Sequence, residues 1–553
     1  MNKALTTIIA ACMTPLCALA QETATIDGIR YYLAGGEATV MAQTEQLKGD
    51  IIIPETVNYE GAVFTVTSLS HSAFKDQGRI KNITLPNSIK VMGNSCFSGC
   101  GSLESIKLPE DITTLGEYSF QNCGLLETLT LPENLTAIGE FCMSGCHSLT
   151  SIEIPDGVTS IGSYAFYVCS NMRSVKLPVG ITSIPEACFM GCDAIETIDV
   201  PYGVTALEDE CFSGCKSLAE VSLPNSLTKL GRACFNECSN LKNIILPNSV
   251  TCVEEECFNQ CEGLEWAILS NALTTLGNRC FYSCEKLKSI TLPEGMESLG
   301  NDCFHDCTLL ETISFPESLK WFGGACFKEC SSLANVYCKW DEPTDVHVAA
   351  IDFEGIFTEA ILHVPEGTAE AYKATEPWNQ FKYIIEDGKP VTIEKCATPE
   401  ISYRDKQLTF TSATEGAKYH YTITADDATS AEAYTETGTV TLAAAYGISV
   451  YASAEGYANS DAATATLYFF DGSFDATAIA APEARRALLV TADGRTLTVS
   501  GLADGETATL YSLQGTALDT ARAAAGQARL DTRGEKGVVI LKAGADTIKL
   551  SVK

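Results

Sequence analysis

The chain has 553 residues, 46% of them hydrophobic, and a formal charge of −33 from 37 basic and 70 acidic side chains. Such a length suits several domains, and the apolar content can support real cores. The acidity excludes a nucleic-acid-binding surface, which needs clustered Lys and Arg, and leaves a self-repelling surface that resists aggregation and anionic membranes.

Residues 1–20, MNKALTTIIAACMTPLCALA, read as a signal peptide for export. Lys3 is the charged end, an apolar run follows, and Ala18-Leu19-Ala20 precedes Gln21 as a small-x-small cleavage site. Ile9-Ala10-Ala11-Cys12 is also similar to a lipoprotein box, which would leave a lipidated Cys12; the residues after Cys12 stay apolar up to Ala20, which favours cutting there. No later apolar run reaches the roughly 18 residues of a transmembrane helix. Residues 21–62 carry strand-like stretches, IRYYLAG, ATVMAQ and GDIIIPETV, and are expected to form an N-terminal β cap.

Residues 63–338 are built on a 23-residue period. Proline recurs at Pro86, Pro109, Pro132, Pro155, Pro178, Pro201, Pro224 and Pro247, is replaced once by Ser270, and resumes at Pro293 and Pro316. A large residue keeps the same step from Phe74 through Met143 to Phe327. A fixed period without an insertion predicts a solenoid, in which each unit buries its apolar side against its neighbours. Each unit opens with Leu-x-x-Ile-x-Leu, as at Leu103, Ile106 and Leu108, a strand that Pro109 ends because proline cannot donate to a ladder. Ile112 and Leu115 add core, and Gly116 opens a short helical or irregular turn carrying Phe120 and Cys123.

This unit, LxxIxLPxxIxxLGxxxFxxC, resembles the repeat of BspA-like bacterial surface proteins, a leucine-rich repeat family. The resemblance implies a leucine-rich-repeat solenoid, a parallel β sheet with short helical turns, and a role in surface adhesion by binding host or matrix proteins or surface glycans. It implies no particular ligand. Residues 339–390, with Leu362-His363-Val364-Pro365 followed by Tyr372, Trp378 and Phe381, resemble that family's C-terminal cap.

Beyond the array, two small all-β, sandwich-like domains are expected. Residues 391–470 alternate in short runs (LTFTSA, KYHYTITA, ISVYASA), and Tyr419-His420-Tyr421-Thr422-Ile423 with Ser449-Val450-Tyr451-Ala452 is similar to the chitobiase/β-hexosaminidase C-terminal class, an accessory module. Residues 471–486 read as a linker. In residues 487–553, Tyr511-Ser512-Leu513-Gln514-Gly515 and the ending Ile548-Lys549-Leu550-Ser551-Val552-Lys553 resemble type IX secretion sorting domains, which implies an address at the outer-membrane surface or outside the cell.

Two of the 25 cysteines, Cys12 and Cys17, lie in the signal, leaving 23. Most form two ladders at the repeat step, one running from Cys100 to Cys330 and the other from Cys96 to Cys326. Export invites a disulfide reading. The odd count opposes it, and Cys123 and Cys169 persist where Ser119 and Ala165 replace the other ladder's cysteine. The ladders therefore read as small buried hydrophobes. Cys303, His305, Asp306 and Cys307 are the best local metal candidate, but the two cysteines belong to the inward ladders, so no metal site and no cofactor is assigned. The six His residues sit near no nucleophile elbow, zinc-protease pair or phosphate loop, and the acidic residues occupy variable slots; no catalytic residues and no enzyme activity are assigned.

One surface departs from the repeat. The residues two and four after each unit's first Leu point away from the core. Both rows are polar except at two adjoining rungs, where Ile245, Trp266 and Ile268 come together beside Ala267 and Ser270. Two readings follow: a ligand-binding patch centred on Trp266, Ile268 and Ile245, or a decayed rung whose Trp folds over the space left by Ala267. The chain as a whole reads as a non-catalytic adhesion module for a protein or glycan. The alternative is a structural or carbohydrate-processing accessory scaffold of the cell surface.

Overall fold

The computed structural model describes residues 22–348, 353, 355–386, 395–404, 407–425, 430–435, 439–441, 446–454, 457, 459–470, 486–493, 495–512, 516–534, 537–543 and 546–552. The signal peptide, Cys12 and nearly all of the expected linker lie outside these residues. The chain divides into two compact units after Pro178.

In the first unit, Glu22–Ile26 and Ile29–Ala34 form a hairpin whose turn, Asp27-Gly28, has positive φ at both positions (48° and 81°), the geometry that matches the twist of the flanking strands. Glu37–Val40 follows antiparallel and then pairs parallel with Ala62–Leu69. That long strand hands pairing on to Val91–Met92, while Gly49–Ile52 pairs with Ile80–Thr84 and through it with Ser105–Lys107. These strands thus supply the first member of both ladders of the array.

Nearly every rung then contributes a three-residue strand and a two-residue strand in parallel register one period apart, as in Ser151–Glu153 with Ser174–Lys176 and Ala137–Ile138 with Ser160–Ile161; at Thr130 a single bridge to Lys107 stands in for the longer strand. Alternation sets the faces: Ile152 is buried while Ser151 and Glu153 are exposed. Inside, rings stack in columns. Phe74, Phe97 and Phe120 lie 5.3–5.5 Å apart in the first unit. Phe189 through Phe327 repeat this at 5.2–5.6 Å in the second.

Of the two expected forms, a short helical or an irregular turn, the third segment of each rung takes the irregular one. Non-glycine residues there adopt left-handed backbone angles, Tyr118 and Asn122 both at φ 58°, which breaks a right-handed helix. Alternate N–H groups bond across rungs, Tyr118 N to Glu140 O at 2.9 Å, Phe120 N to Cys142 O at 2.7 Å and Asn122 N to Ser144 O at 2.7 Å, while those between them bond back along the chain, as Gln121 N does to Tyr118 O at 3.2 Å. The corners are thereby a third ladder, and the only α-helix among the described residues is Ala369–Ala374 in the cap.

The cysteine ladders belong to this core. Cys123 Sγ donates to the Phe97 carbonyl of the preceding rung at 3.2 Å, and Cys238 Sγ to Phe212 O at 3.3 Å. Thiol and ring column are thus knitted rung by rung. Burial pushes Cys96, Cys100, Cys142 and Cys303 up to about 12, which suppresses the reactive thiolate. Cys252 is the one described cysteine that is not fully buried. Alkylation of the native protein is expected at Cys252 alone, and of the denatured, unreduced protein at nearly every cysteine. Mass spectrometry of the alkylated peptides checks this; cysteines that stay blocked after denaturation without reductant would establish disulfides instead.

The second unit continues the array into a seven-stranded parallel sheet, Asn243–Ile245, Trp266–Ile268, Ser289–Thr291, Thr312–Ser314, Asn335–Tyr337, Ile361–Val364 and Tyr383–Glu386. The last two strands belong to the C-terminal cap. Beneath them Trp340, Phe353, Tyr372 and Trp378 close the column of rings, with Tyr372 Oη donating to Trp340 O at 2.8 Å. This aromatic plug covers an end that would otherwise leave apolar surface in water.

Among the described residues of 395–552 the regular structure is β-strand. Lys418–Ala425 pairs with Ser430–Thr435 and Tyr446–Ser453, and Tyr446–Ser453 with Ala463–Phe470. Ala463–Phe470 then pairs with Arg486–Asp493, so strands on either side of the expected linker share one sheet. Leu488 packs with Val499, Leu510 and Leu541, whereas its neighbour Leu489 packs with Phe410, Val450 and Leu467. Successive side chains of one strand face opposite ways, and this strand serves two cores.

Candidate functional site

The outward rows of the second unit begin polar, with Thr197, Asp199, Glu220 and Ser222 at the exposed or half-exposed face. Ile245 pairs directly with Ile268, and Trp266 pairs with Asn243 on one side and Ser289 on the other. The structure therefore brings the three sequence-selected residues together on adjoining strands. Ala267 lies inward and buried, while Trp266 occupies the outward row, half-buried. That alternation places the indole on the face opposite the space left by Ala267. Ile268 is only 6% exposed, unlike the half-exposed Thr291 and Ser314 of the following rungs.

The chain itself supplies a neighbour to this face. Asn459 Nδ2 donates to Leu246 O at 3.1 Å, and Asn248 Nδ2 donates to Ser460 O at 3.4 Å. Both Asn459 and Ser460 are fully buried. Alongside, Lys418 and His420 face Thr197, Asp199, Glu220, Asn243 and Ile245 across a cleft of about 130 Å³. That volume falls well short of the roughly 300 Å³ at which small-molecule pockets begin, so the cleft is a seam rather than a ligand cavity. His420 stacks on Tyr451 with ring centres 4.8 Å apart, and its Nε2 is 2.8 Å from Ser453 Oγ. Desolvation by burial, with Lys418 as a second cause, lowers its pKa to about 4. Sequence reasoning did not find this contact; Ile245, an apolar residue in a polar row, was the only signal of it.

A second departure lies at the C-terminal cap, beyond the rows read from the sequence. Tyr337, His363 and Ile385 are in register, as are Asn335, Ile361 and Tyr383. Tyr337 and His363 stack at 4.1 Å, His363 Nε2 lies 3.0 Å from Asn335 Oδ1, and Tyr383 is 46% exposed. The outward face is thus apolar or aromatic at two places, separated by Ser289, Thr291, Thr312 and Ser314.

The metal candidate disperses. Cys303 and Cys307 are buried in the ladders, while His305 Nδ1 sits 3.2 Å from Asp302 Oδ1 and its ring rests on Tyr282 at 5.0 Å. Among the described residues no group of three His, Cys, Asp or Glu side chains is arranged to hold a metal ion. No helix among them is long and apolar enough to cross a membrane.

Comparison with known proteins bears on this frame. The BspA type leucine-rich repeat region matches in six copies, over residues 62–170, 136–265 and 252–343, more than half of the chain. The chain belongs to the BspA-type leucine-rich repeat family. A leucine-rich repeat protein from Bacteroides ovatus is similar in structure at 26% identity and a TM-score of 0.51, covering 62% of this chain and 99% of that one. A leucine-rich cell surface protein from Faecalibacterium prausnitzii matches at 23% identity and a TM-score of 0.43, covering 57% and 94%. The pneumococcal vaccine antigen PcpA matches at 16% identity and a TM-score of 0.36, covering 66% and 99%. No curated protein sequence matches. The matches are repeat proteins and indicate no enzyme family.

Proposed function

We propose that this BspA-type protein is an exported, non-catalytic surface adhesion module that captures a protein or glycan partner on the outward strand face of its array, with Trp266 as the anchor and Ile245 and Ile268 beside it. The observation that carries the reading is the row itself. A scaffold keeps its outward strand positions uniformly polar, and here an indole and two isoleucines interrupt the series at adjoining, in-register rungs. Clustered aromatic and aliphatic side chains on an otherwise polar face mark partner sites, and Trp is among the residues most enriched at their energetic centres. The signal-like residues 1–20 and the sorting-like end support placement at the outer-membrane surface or outside the cell. A structural or carbohydrate-processing accessory role is the second reading, favoured by the similarity of residues 391–470 to accessory carbohydrate modules.

The test is a binding screen of the exported chain against matrix proteins and a glycan array, repeated with Trp266→Ala. Loss of at least about 1 kcal/mol of affinity, roughly fivefold in Kd, is expected for the captured partner. Unchanged affinity together with a lower melting temperature would move Trp266 from partner binding to packing.

A further inference from the structure

We infer that the β region following the array is a displaceable cover for this same strand face, so that the protein holds its own binding surface partly closed. The inference rests on the reading of that face as a partner site. Its physical ground is the seam. Asn459 and Ser460 are fully buried against the rung that carries Ile245, bonding to the Leu246 carbonyl and the Asn248 side chain. These partners are more than 200 residues apart in sequence, so the contact closes a long loop and is held by tertiary interactions alone.

Three features make the cover one that opens. Two side-chain amide bonds cross the seam, at 3.1 and 3.4 Å, and Asn459 Oδ1 is buried without a partner among the described residues. A seam that leaves a buried acceptor unpaired forgoes part of its own stabilisation. Beside the bonds is a cleft of about 130 Å³, not packed side chains. Lys418 of the β region lines this cleft together with Asp199 and Glu220 of the array, and attraction between such opposite charges is screened by salt at a partly open surface. Such a contact belongs to the low-stability end of a structure, where local opening precedes unfolding. A partner that prefers the exposed face would draw the equilibrium toward the open form, and only by its differential affinity for that form. Trp266, half-buried beside Ile268, remains accessible for first contact.

Hydroxyl-radical footprinting of the full chain tests this without knowledge of the partner. Three proteins are compared: the wild type, an Asn248→Cys/Ser460→Cys variant locked with oxidised glutathione, and Asn459→Lys, which puts a charge into the buried seat. All described native thiols but Cys252 are buried and resist the oxidant, and Cys252 is changed to Ser in all three proteins. Labelling of Ile245 and Ile268 is expected to fall at least about twofold in the locked protein and rise at least about threefold in Asn459→Lys, relative to wild type. Phe281, at 0% exposure, reports integrity of the array in all three. If Asn459→Lys labels Phe281, Asn459→Ala replaces it. Equal labelling in all three proteins overturns the inference. So does a locked protein that labels like wild type, since the contact would then be a fixed interface. Either failure leaves the Trp266 binding test standing, and opening without any captured partner would count against the adhesion reading alone.

Discussion

Replacing Phe258 by Ala is expected to destabilise the array by about 3–5 kcal/mol, the range for deleting a buried ring. Phe258 is fully buried and stacked between Phe235, 5.6 Å away at an interplanar angle of 4°, and Phe281, 5.2 Å away at 15°. The loss has two parts: the apolar area returned to water on unfolding is smaller, and the rings on both sides face a cavity. Collapse of the space is hindered because each rung is tied to the next at its corner, with Phe258 N bonded to Cys280 O at 2.8 Å and Cys284 Sγ bonded to Phe258 O at 3.2 Å. The cost in a solenoid concentrates at the altered rung and its neighbours. Denaturant unfolding should therefore show an earlier transition, with hydrogen exchange rising first near rungs 235 and 281. Phe258→Met is expected to cost less, because Met143 fills the same position in the first unit at 0% exposure. A loss below about 1 kcal/mol for Phe258→Ala would mean that the column is not a close-packed core.

The repeat was legible because stacking imposes it. Parallel strands in register demand the same step at every rung, so the proline, ring and cysteine positions at 23-residue intervals announce the ladders directly. The corner was less legible. Left-handed backbone is usually signalled by glycine or asparagine, yet Tyr118, Glu210 and Glu256 hold it here at φ 58° each. Those residues look helix-compatible in isolation; bonds to the next rung, which no single repeat contains, override that preference. The three-residue patch was readable from alternation alone, because Ile245, Trp266 and Ile268 violate a strict polar row. What touches the patch was not. Asn459 meets Leu246 across 213 residues, and neither local pattern nor repeat spacing encodes such a contact. The same holds for the pairing of Ala463–Phe470 with Arg486–Asp493 across the expected linker.

His420 should make the β region acid-sensitive, and the sign follows from its environment. Its ring is desolvated between Tyr451 and the seam, so the folded state holds the imidazole neutral, with a pKa lowered to about 4 from the usual 6.5. The unfolded chain binds the proton first. Stability therefore falls as pH drops from about 6.5 to about 4 and is restored above that window, with a loss of at most about 3 kcal/mol from this one group. Lys418 adds to burial in disfavouring the imidazolium, and Asp199 and Glu220 line the same cleft. Opening the seam hydrates the ring, so an opened seam should titrate closer to an ordinary histidine. His420→Gln keeps a hydrogen-bonding side chain toward Ser453 and removes the titration. The expected result is a wild type that loses more urea resistance than His420→Gln between pH 7 and pH 4.5, with the two converging at pH 7 to within about 1 kcal/mol. Parallel pH profiles for the two proteins would show that the imidazole is solvated and titrates alike in the folded and unfolded chain.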